Sequence, residues 1–181
     1  NPSDIFLSER PADSPGSIIV SSMEGSRPLL VEVQALVTSS SSIGMPRRMS
    51  AGFDHNRTSL LVAIMEKRLG LNLQGEDIFI NIAGGLKISE PAVDMGVAAA
   101  IAGSFRNRSV DPHTVMIGEV GLTGEVRSVM QLEARLTEAE RLGFKRCIVP
   151  HSIKDDRLIN KNSLLKLVPV KTLSDAFDAV F

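Results

Sequence analysis

Apolar residues occupy every second position of LVEVQALV, at Val31, Val33, Ala35 and Val37, which is the alternation of a strand with one buried face. Upstream, Ser17 to Met23 is rich in strand formers, and Glu24-Gly25-Ser26 reads as a turn, so the two runs predict a hairpin. After Asp54 the period changes. Leu60, Leu61, Ile64, Met65 and Leu69 recur at three- and four-residue steps, which predicts a helix stopped by Gly70. Asp77 to Ile82 predicts a short apolar strand, broken by Gly84-Gly85. The Ala-rich run AVDMGVAAAIAG, between Pro91 and Gly103, predicts a tightly packed helix buried nearly all round. Val115 to Val120 predicts a strand, Leu122-Thr123-Gly124 a turn, and Met130 to Leu142 an amphipathic helix ended by Gly143. Arg146 to Val149 predicts a buried strand closed by Pro150, followed by a strand near Leu167–Val170 and a short helix from Ser174 to Phe181. Irregular alternation after an opening hairpin is α+β, or a mixed-sheet α/β fold.

The first sixteen residues break this pattern with three prolines and several small polar residues, and they read as a linker (1–16) ahead of one domain (17–181). The chain starts at Asn1 rather than Met, as an excised domain or processed fragment does. A hydrophobic share of 43% with 23% charged residues excludes a disordered chain. The single cysteine, Cys147, excludes an internal disulfide and a Cys-rich zinc site, and it fits a reduced, intracellular setting. No apolar run is long enough to cross a bilayer, so no membrane association is expected. Lys and Arg total 20 against 21 Asp and Glu, so any nucleic-acid contact must come from a local patch.

Candidate chemistry is sparse. Gly84-Gly85-Leu86-Lys87 follows a strand, but it lacks the spacing of a phosphate-binding loop, and Ile88 stands where that loop needs a hydroxyl. This chain alone is therefore not expected to hydrolyse ATP. His55, His113 and His151 are scattered, and no metal site is expected. Cys147 lies in the apolar run CIV and reads as a buried small hydrophobe. Ser89 and Lys87 form the only local Ser/Lys pairing, and they would share a face of an extended segment. The richest basic region runs from Arg47 and Arg48 through Arg57 to Lys67 and Arg68. With no Trp or Tyr there is no obvious stacking platform, so binding would be to the backbone of a duplex. On composition alone a solvated basic surface is the better reading.

Six ordered blocks carry a resemblance: NPSDIFLSERP, RPLLVEVQALV, PRRMSAGFDHNRTSLLVAIMEKRLG, GGLKISEPAVDMGVAAAI, GEVGLTGEVRSV and EAERLGFKRCIVP. From Asn1 to about Pro150 the chain closely resembles the C-terminal domain of the RadA (Sms) family of bacterial DNA-repair proteins. That domain is itself similar to the proteolytic domain of Lon protease. The resemblance implies an α+β fold, Lon-like and akin to the second domain of ribosomal protein S5, with a mixed sheet and packed helices. Lon-type domains carry a nucleophilic Ser in a PKDGPSAG block and a Lys in a GGLKEK block. The matching EPAVDMGVA puts Asp94 at the Ser position, and MQLEAR puts Glu133 at the Lys position; a slip in alignment would substitute Arg135. A carboxylate is a poor nucleophile for a peptide carbonyl, and Glu cannot supply the base that Lys provides. The resemblance thus implies a proteolytically inactive domain.

The family further implies a DNA-dependent ATPase in which a zinc finger and a RecA-like motor precede this domain. ATP, Mg and Zn belong to those regions, and this domain is expected to hold no cofactor. The whole protein is expected to drive branch migration with RecA in the bacterial cytoplasm. The domain itself is expected to form a hexameric ring and to touch double-stranded DNA. The residues implied for DNA contact are Arg48, Arg57, Lys87 and Arg127, with Arg47 as a neighbour. Local carboxylates offer each a rival role: Asp54 or Glu66 for Arg57, Glu125 for Arg127, and Glu90 for Lys87. Two alternatives stand beside this reading. One is an assembly-only module, with loop 39–46 and the turn near Glu24–Pro28 as candidate contacts; the other is a residual Ser/Lys peptidase.

Overall fold

The hairpin is the middle of the sheet. In the computed structural model, which describes residues 2–41, 43–153 and 163–181, strands β1 (Ser17–Glu24) and β2 (Arg27–Ser39) pair antiparallel. Asn1 of the expected linker and Ser42 of the polar loop lie outside the described residues. Strand β3 (Arg48–Ala51) leads into helix α2 (His55–Leu69), and β4 (Glu76–Ile82) follows. A single helical turn, Pro91–Val93, precedes α3 (Asp94–Arg106). Then come β5 (Thr114–Met116), β6 (Glu119–Val120), β7 (Val126–Arg127), α4 (Leu132–Arg141), β8 (Arg146–Pro150), β9 (Lys166–Val170) and α5 (Leu173–Val180). Seven strands form one mixed sheet in the order β3-β4-β2-β1-β5-β8-β9, while β6 and β7 make a separate two-stranded hairpin. The fold class is thus a mixed sheet with packed helices, as the sequence predicts.

Helices cover both faces. Alternation sends Ile18 and Val20 of β1 and Val31 and Val33 of β2 toward α2, α3 and α5. Ile19 and Leu30 point the other way, into a second core with Leu136 and Ala139 of α4. The central strands are therefore buried on both sides, so the alternation from Val31 to Val37 marks one of two buried faces there. Helix α3 is sealed from Asp94 through Gly103. Its small residues let it approach β1 closely: a Cβ on Gly96 would sit 2.1 Å from Val20 Cγ1. Helix α2 begins at Asp54, whose carboxylate accepts the Asn56 N–H, and ends at Gly70 in the left-handed region (φ 69°).

Two local expectations are corrected, and one strand has no counterpart in the sequence pattern. Residues 2–7, read as linker, form helix α1 (Pro2–Leu7), which docks on the sheet; Ser3 is buried and accepts the Leu30 N–H at 3.1 Å. The strand expected over Val115–Val120 is two strands in different sheets. The break falls at Gly118, where a Cβ would meet Val126 Cγ1 at 2.9 Å, and its N–H is held by the Ala92 carbonyl. Strand β3 lies in a stretch without apolar alternation and is fixed by parallel pairing with β4.

Asp77 anchors the entry to β3. Its Oδ1 accepts the Arg47 N–H at 2.7 Å, and its Oδ2 accepts the Arg47 guanidinium at 2.9 and 3.2 Å. The Arg47 backbone N–H first, and then its guanidinium, hold this carboxyl below the usual carboxylate range. A depressed folded pKa contributes stability above the unfolded value and loses it as pH falls. Asp77→Asn should therefore show a shallower loss of stability than the parent below pH about 4 in acid titrations followed by circular dichroism. Gly96→Ala should lower the unfolding free energy by about 1–3 kcal/mol in denaturant titrations, because the added methyl has no space against Val20.

Candidate functional site

Asp94, the first residue of α3, is fully buried, and the chain around it is arranged to neutralise it. Arg57, in the first turn of α2, reaches it with both forks: Nε donates to Oδ1 at 2.8 Å, and Nη2 donates to Oδ2. The Val120 N–H of β6 donates to Oδ2 at 3.2 Å. Burial lifts the Asp94 carboxyl above its ordinary value, against the pull of Arg57 and the Val120 amide. The Arg57 guanidinium is held above its ordinary value chiefly by the hydrogen bond to Asp94. Asp54 caps α2 without bonding this guanidinium, so the local partners offered by the sequence give way to one 37 residues away. This arrangement leaves neither a nucleophile nor a base. The carboxylate oxygens are engaged, and a guanidinium does not accept a proton.

A second buried pair lies four residues earlier. Arg135 of α4, 1% exposed, binds both oxygens of Glu90, at 2.9 and 2.7 Å. It also donates to the carbonyls of Ser21 at 2.7 Å and Met130 at 3.0 Å, and Glu90 accepts the Met23 N–H at 2.8 Å. Arg135 is thus a structural cation. Glu133 lies exposed in the first turn of α4, beside a small cavity lined with Thr137, Glu140 and Ser163. Helix α4 packs on the sheet face opposite α3, and Asp94 meets Arg57 and Val120 instead. Ser89 and Lys87 are both exposed, and no hydrogen bond joins them. Cys147 is sealed in the second core, where burial pushes its thiol far up. Among the described residues no His, Cys, Asp and Glu group could hold a metal ion, and no helix is long and apolar enough to cross a membrane.

The five cations named from the sequence fall into two groups. Lys87 lies on the segment that pairs with Gly52 and Phe53, just ahead of α2; it is exposed and has no ion pair among the described residues. Arg57 follows at Asp94. Arg127 sits on β7 opposite Glu119; its side chain is 62% exposed, with a long 3.4 Å contact to Glu125, as the spacing suggested. Arg47 and Arg48 are at the far end of β3, about 13 Å of strand from Gly52. Arg47 is spent on Asp77, and Arg48 donates to the carbonyls of Glu76 and Leu73. A further cation, Arg68, is read from the sequence only as the end of the basic region and not as a DNA contact. Arg68 lies on the stripe of α2 that runs from Arg57 through Leu61 and Ile64, and it packs on the β6–β7 turn, 3.5 Å from where a Cβ on Gly124 would be. The eleven-residue step from Arg57, close to three helical turns, is the signal that would have found it.

Comparison with known proteins gives a consistent family. The family model described as subunit ChlI of Mg-chelatase matches residues 33–153. DNA repair protein RadA of Halalkalibacterium halodurans is 51% identical over 178 residues, 98% of this chain and 38% of the relative. DNA repair protein RadA of Bacillus subtilis is 57% identical over 150 residues, 83% of this chain and 32% of the relative. That of Streptococcus pneumoniae is 44% identical over 181 residues, all of this chain and 42% of the relative. The chain therefore spans well under half the length of these relatives.

The Arg135–Glu90 pair gives a direct test of the framework. Glu90→Ala leaves a sealed guanidinium without its carboxylate and should cost about 3–5 kcal/mol of stability in denaturant titrations. Glu90→Leu combined with Arg135→Met should recover a large part of that loss, because both buried charges leave together.

Proposed function

Because this chain belongs to the family described as subunit ChlI of Mg-chelatase and aligns along nearly its whole length with DNA repair protein RadA, we propose that it is a Lon-like, proteolytically silent module of a DNA repair ATPase, forming a ring scaffold that touches the backbone of duplex DNA. The observation that carries this reading is the state of Asp94. The residue at the nucleophile position of a Lon-type site is a sealed carboxylate clamped by an arginine, and a fold whose catalytic groups are replaced keeps its architecture for another use. Lys87, Arg127 and Arg68 support the DNA-contacting part. They are exposed, lie along the side formed by α2 and the β6–β7 hairpin, and are at most loosely paired. Phosphate contact needs such cations and no base-reading groups.

On this reading ATP, Mg and Zn act in portions of the protein outside this chain. The whole protein works on recombination intermediates in the bacterial cytoplasm by branch migration, with RecA as partner and a homo-hexamer as the working form. The rival reading is an assembly-only module with DNA handled by the motor. It draws on the near-neutral charge of the chain, with 20 basic against 21 acidic residues.

Duplex binding titrated over salt separates the two. Binding that weakens with salt, with a log–log slope reduced by about two in Lys87→Ala/Arg127→Ala, supports phosphate contact. A hexamer, established by mass in the same buffer, that binds no duplex supports assembly alone. Cleavage of an unfolded protein substrate, abolished by Asp94→Ala, would overturn the silent-protease reading.

A further inference from the structure

We propose that Arg57 serves the DNA-contacting surface as a positioning residue: by neutralising Asp94 it fixes the β6–β7 hairpin that presents Arg127, without itself touching phosphate. This inference rests on the DNA-contact reading above. The path is short and continuous. Arg57 holds both carboxylate oxygens of Asp94, and Oδ2 of that carboxylate accepts the Val120 N–H at 3.2 Å. Val120 pairs with Val126, and its neighbour Glu119 pairs with Arg127. Strand β6 is therefore tied to the same oxygen that Arg57 grips, while β7 and the turn are held separately, by the Val126 N–H on the Lys171 carbonyl at 2.8 Å and the Leu173 N–H on the Gly124 carbonyl at 2.9 Å. Arg68 supports its turn from the other end of α2.

Charge separates Arg57 from its neighbours. Its side chain is 25% exposed and its partner 0%, so the pair is sealed from one side and sums to zero toward a phosphate outside. Asp54 and Glu119 also face this guanidinium, and they further cancel its field. Arg127 is 62% exposed and holds Glu125 at 3.4 Å, a contact that solvent and a phosphate oxygen readily replace. Counterion release from DNA follows net positive charge brought to the backbone. Arg127 brings such charge, whereas the Arg57–Asp94 pair brings none. Removal of Arg57 nonetheless has a consequence for binding. It leaves a negative charge with one backbone amide as partner, directly under the hairpin.

The test is a double-mutant cycle on the 181-residue chain, using a short blunt duplex as the probe. Wild type, Arg57→Ala, Arg127→Ala, both together, and Arg57→Ala/Asp94→Asn are titrated over salt. We expect Arg57→Ala to weaken binding several-fold and to add nothing to Arg127→Ala, since one acts through the other. Asp94→Asn should restore binding in the Arg57→Ala background, because the charge needing neutralisation is gone while an acceptor for the Val120 N–H remains. A phosphate contact by Arg57 itself predicts the opposite: additive losses, a salt slope lowered by about one in Arg57→Ala, and no restoration by Asp94→Asn. That result would overturn the proposal. Amide hydrogen exchange of residues 119–127, without DNA, gives a second readout. Protection should fall in Arg57→Ala and return with Asp94→Asn, and unchanged exchange in Arg57→Ala would sink the clamp. If the wild-type chain, shown by mass to be hexameric in the same buffer, binds no duplex, the DNA-contact reading fails by itself; in that case, and equally for a monomer that binds none, the exchange result still decides the clamp. Where Arg57→Ala does not fold, Arg57→Gln keeps most of the stem and takes its place in every arm.

Discussion

A charge sealed from water must be neutralised, and in this molecule that need is met twice within five residues: Asp94 is itself a sealed carboxylate, and the partly exposed Glu90 neutralises the sealed guanidinium of Arg135. Glu90 and Asp94 flank the turn Pro91–Val93 that leads into the N-terminus of α3. Glu90 takes Arg135 from α4, on one face of the sheet, and Asp94 takes Arg57 from α2, on the other. The turn is thus stapled from both sides, and each staple reaches further. Through Glu90 and Arg135 it holds the end of β1, at Met23 and Ser21; through Asp94 it holds β6 at Val120. Isolated buried ion pairs add little net stability, because desolvation of the charges offsets their attraction. Their effect here is geometric. They tie α2 on one face of the sheet and α4 on the other to the entry of α3, and the Asp94 pair also holds β6 of the hairpin.

The same constraint bears on chemistry. A nucleophile needs a free electron pair at the mouth of a site and a base that can lose and regain a proton. Asp94 has both oxygens engaged and no exposed surface. Its partner is an arginine, which remains protonated in proteins. The Asp94–Arg57 pair acts as a fixed joint between α2 and the start of α3. A joint suits a domain whose work is to hold other groups in register, and close packing of α3 on β1 at Gly96 and Val20 reinforces it.

Much of the architecture was legible because periodicity is local. The hairpin, the helix ended at Gly70 and the small-residue helix α3 each follow from spacing within a dozen residues. What escaped was set at a distance. Strand β3 has little apolar pattern of its own and exists through pairing with β4, some thirty residues on. Gly118 ends a strand because Val126 crowds it, and docking of α1 depends on Ser3 meeting Leu30. The site divides the same way. Position in a matching block was enough to single out Asp94 and Arg57 separately, but not to join them: Asp54 and Glu66 are nearer in sequence, and the guanidinium goes instead to the carboxylate that is buried, which sequence does not display. Among the described residues Lys87 has no carboxylate partner for the complementary reason: Glu90, its nearest candidate in sequence, is already taken by the buried Arg135.

That competition for carboxylates bears on how a near-neutral chain would hold DNA. Arg47, Arg57 and Arg135 are each committed to an acid whose exposure is 1%, 0% and 27% respectively, so a count of cations overstates the charge available to a phosphate. What remains along α2 and the hairpin with at most a loose partner among the described residues is a handful: Lys87, Lys67, Arg68 and Arg127. Four phosphate contacts still give a modest salt dependence and weak binding by a single copy. On the DNA-contact reading, strength must then come from repetition. Copies arranged around one duplex turn each further contact into an intramolecular event at high effective concentration, and affinity grows steeply without any single patch becoming strongly basic. A domain built this way releases DNA when its copies separate, and it tolerates a balanced surface because no one subunit has to hold the duplex alone.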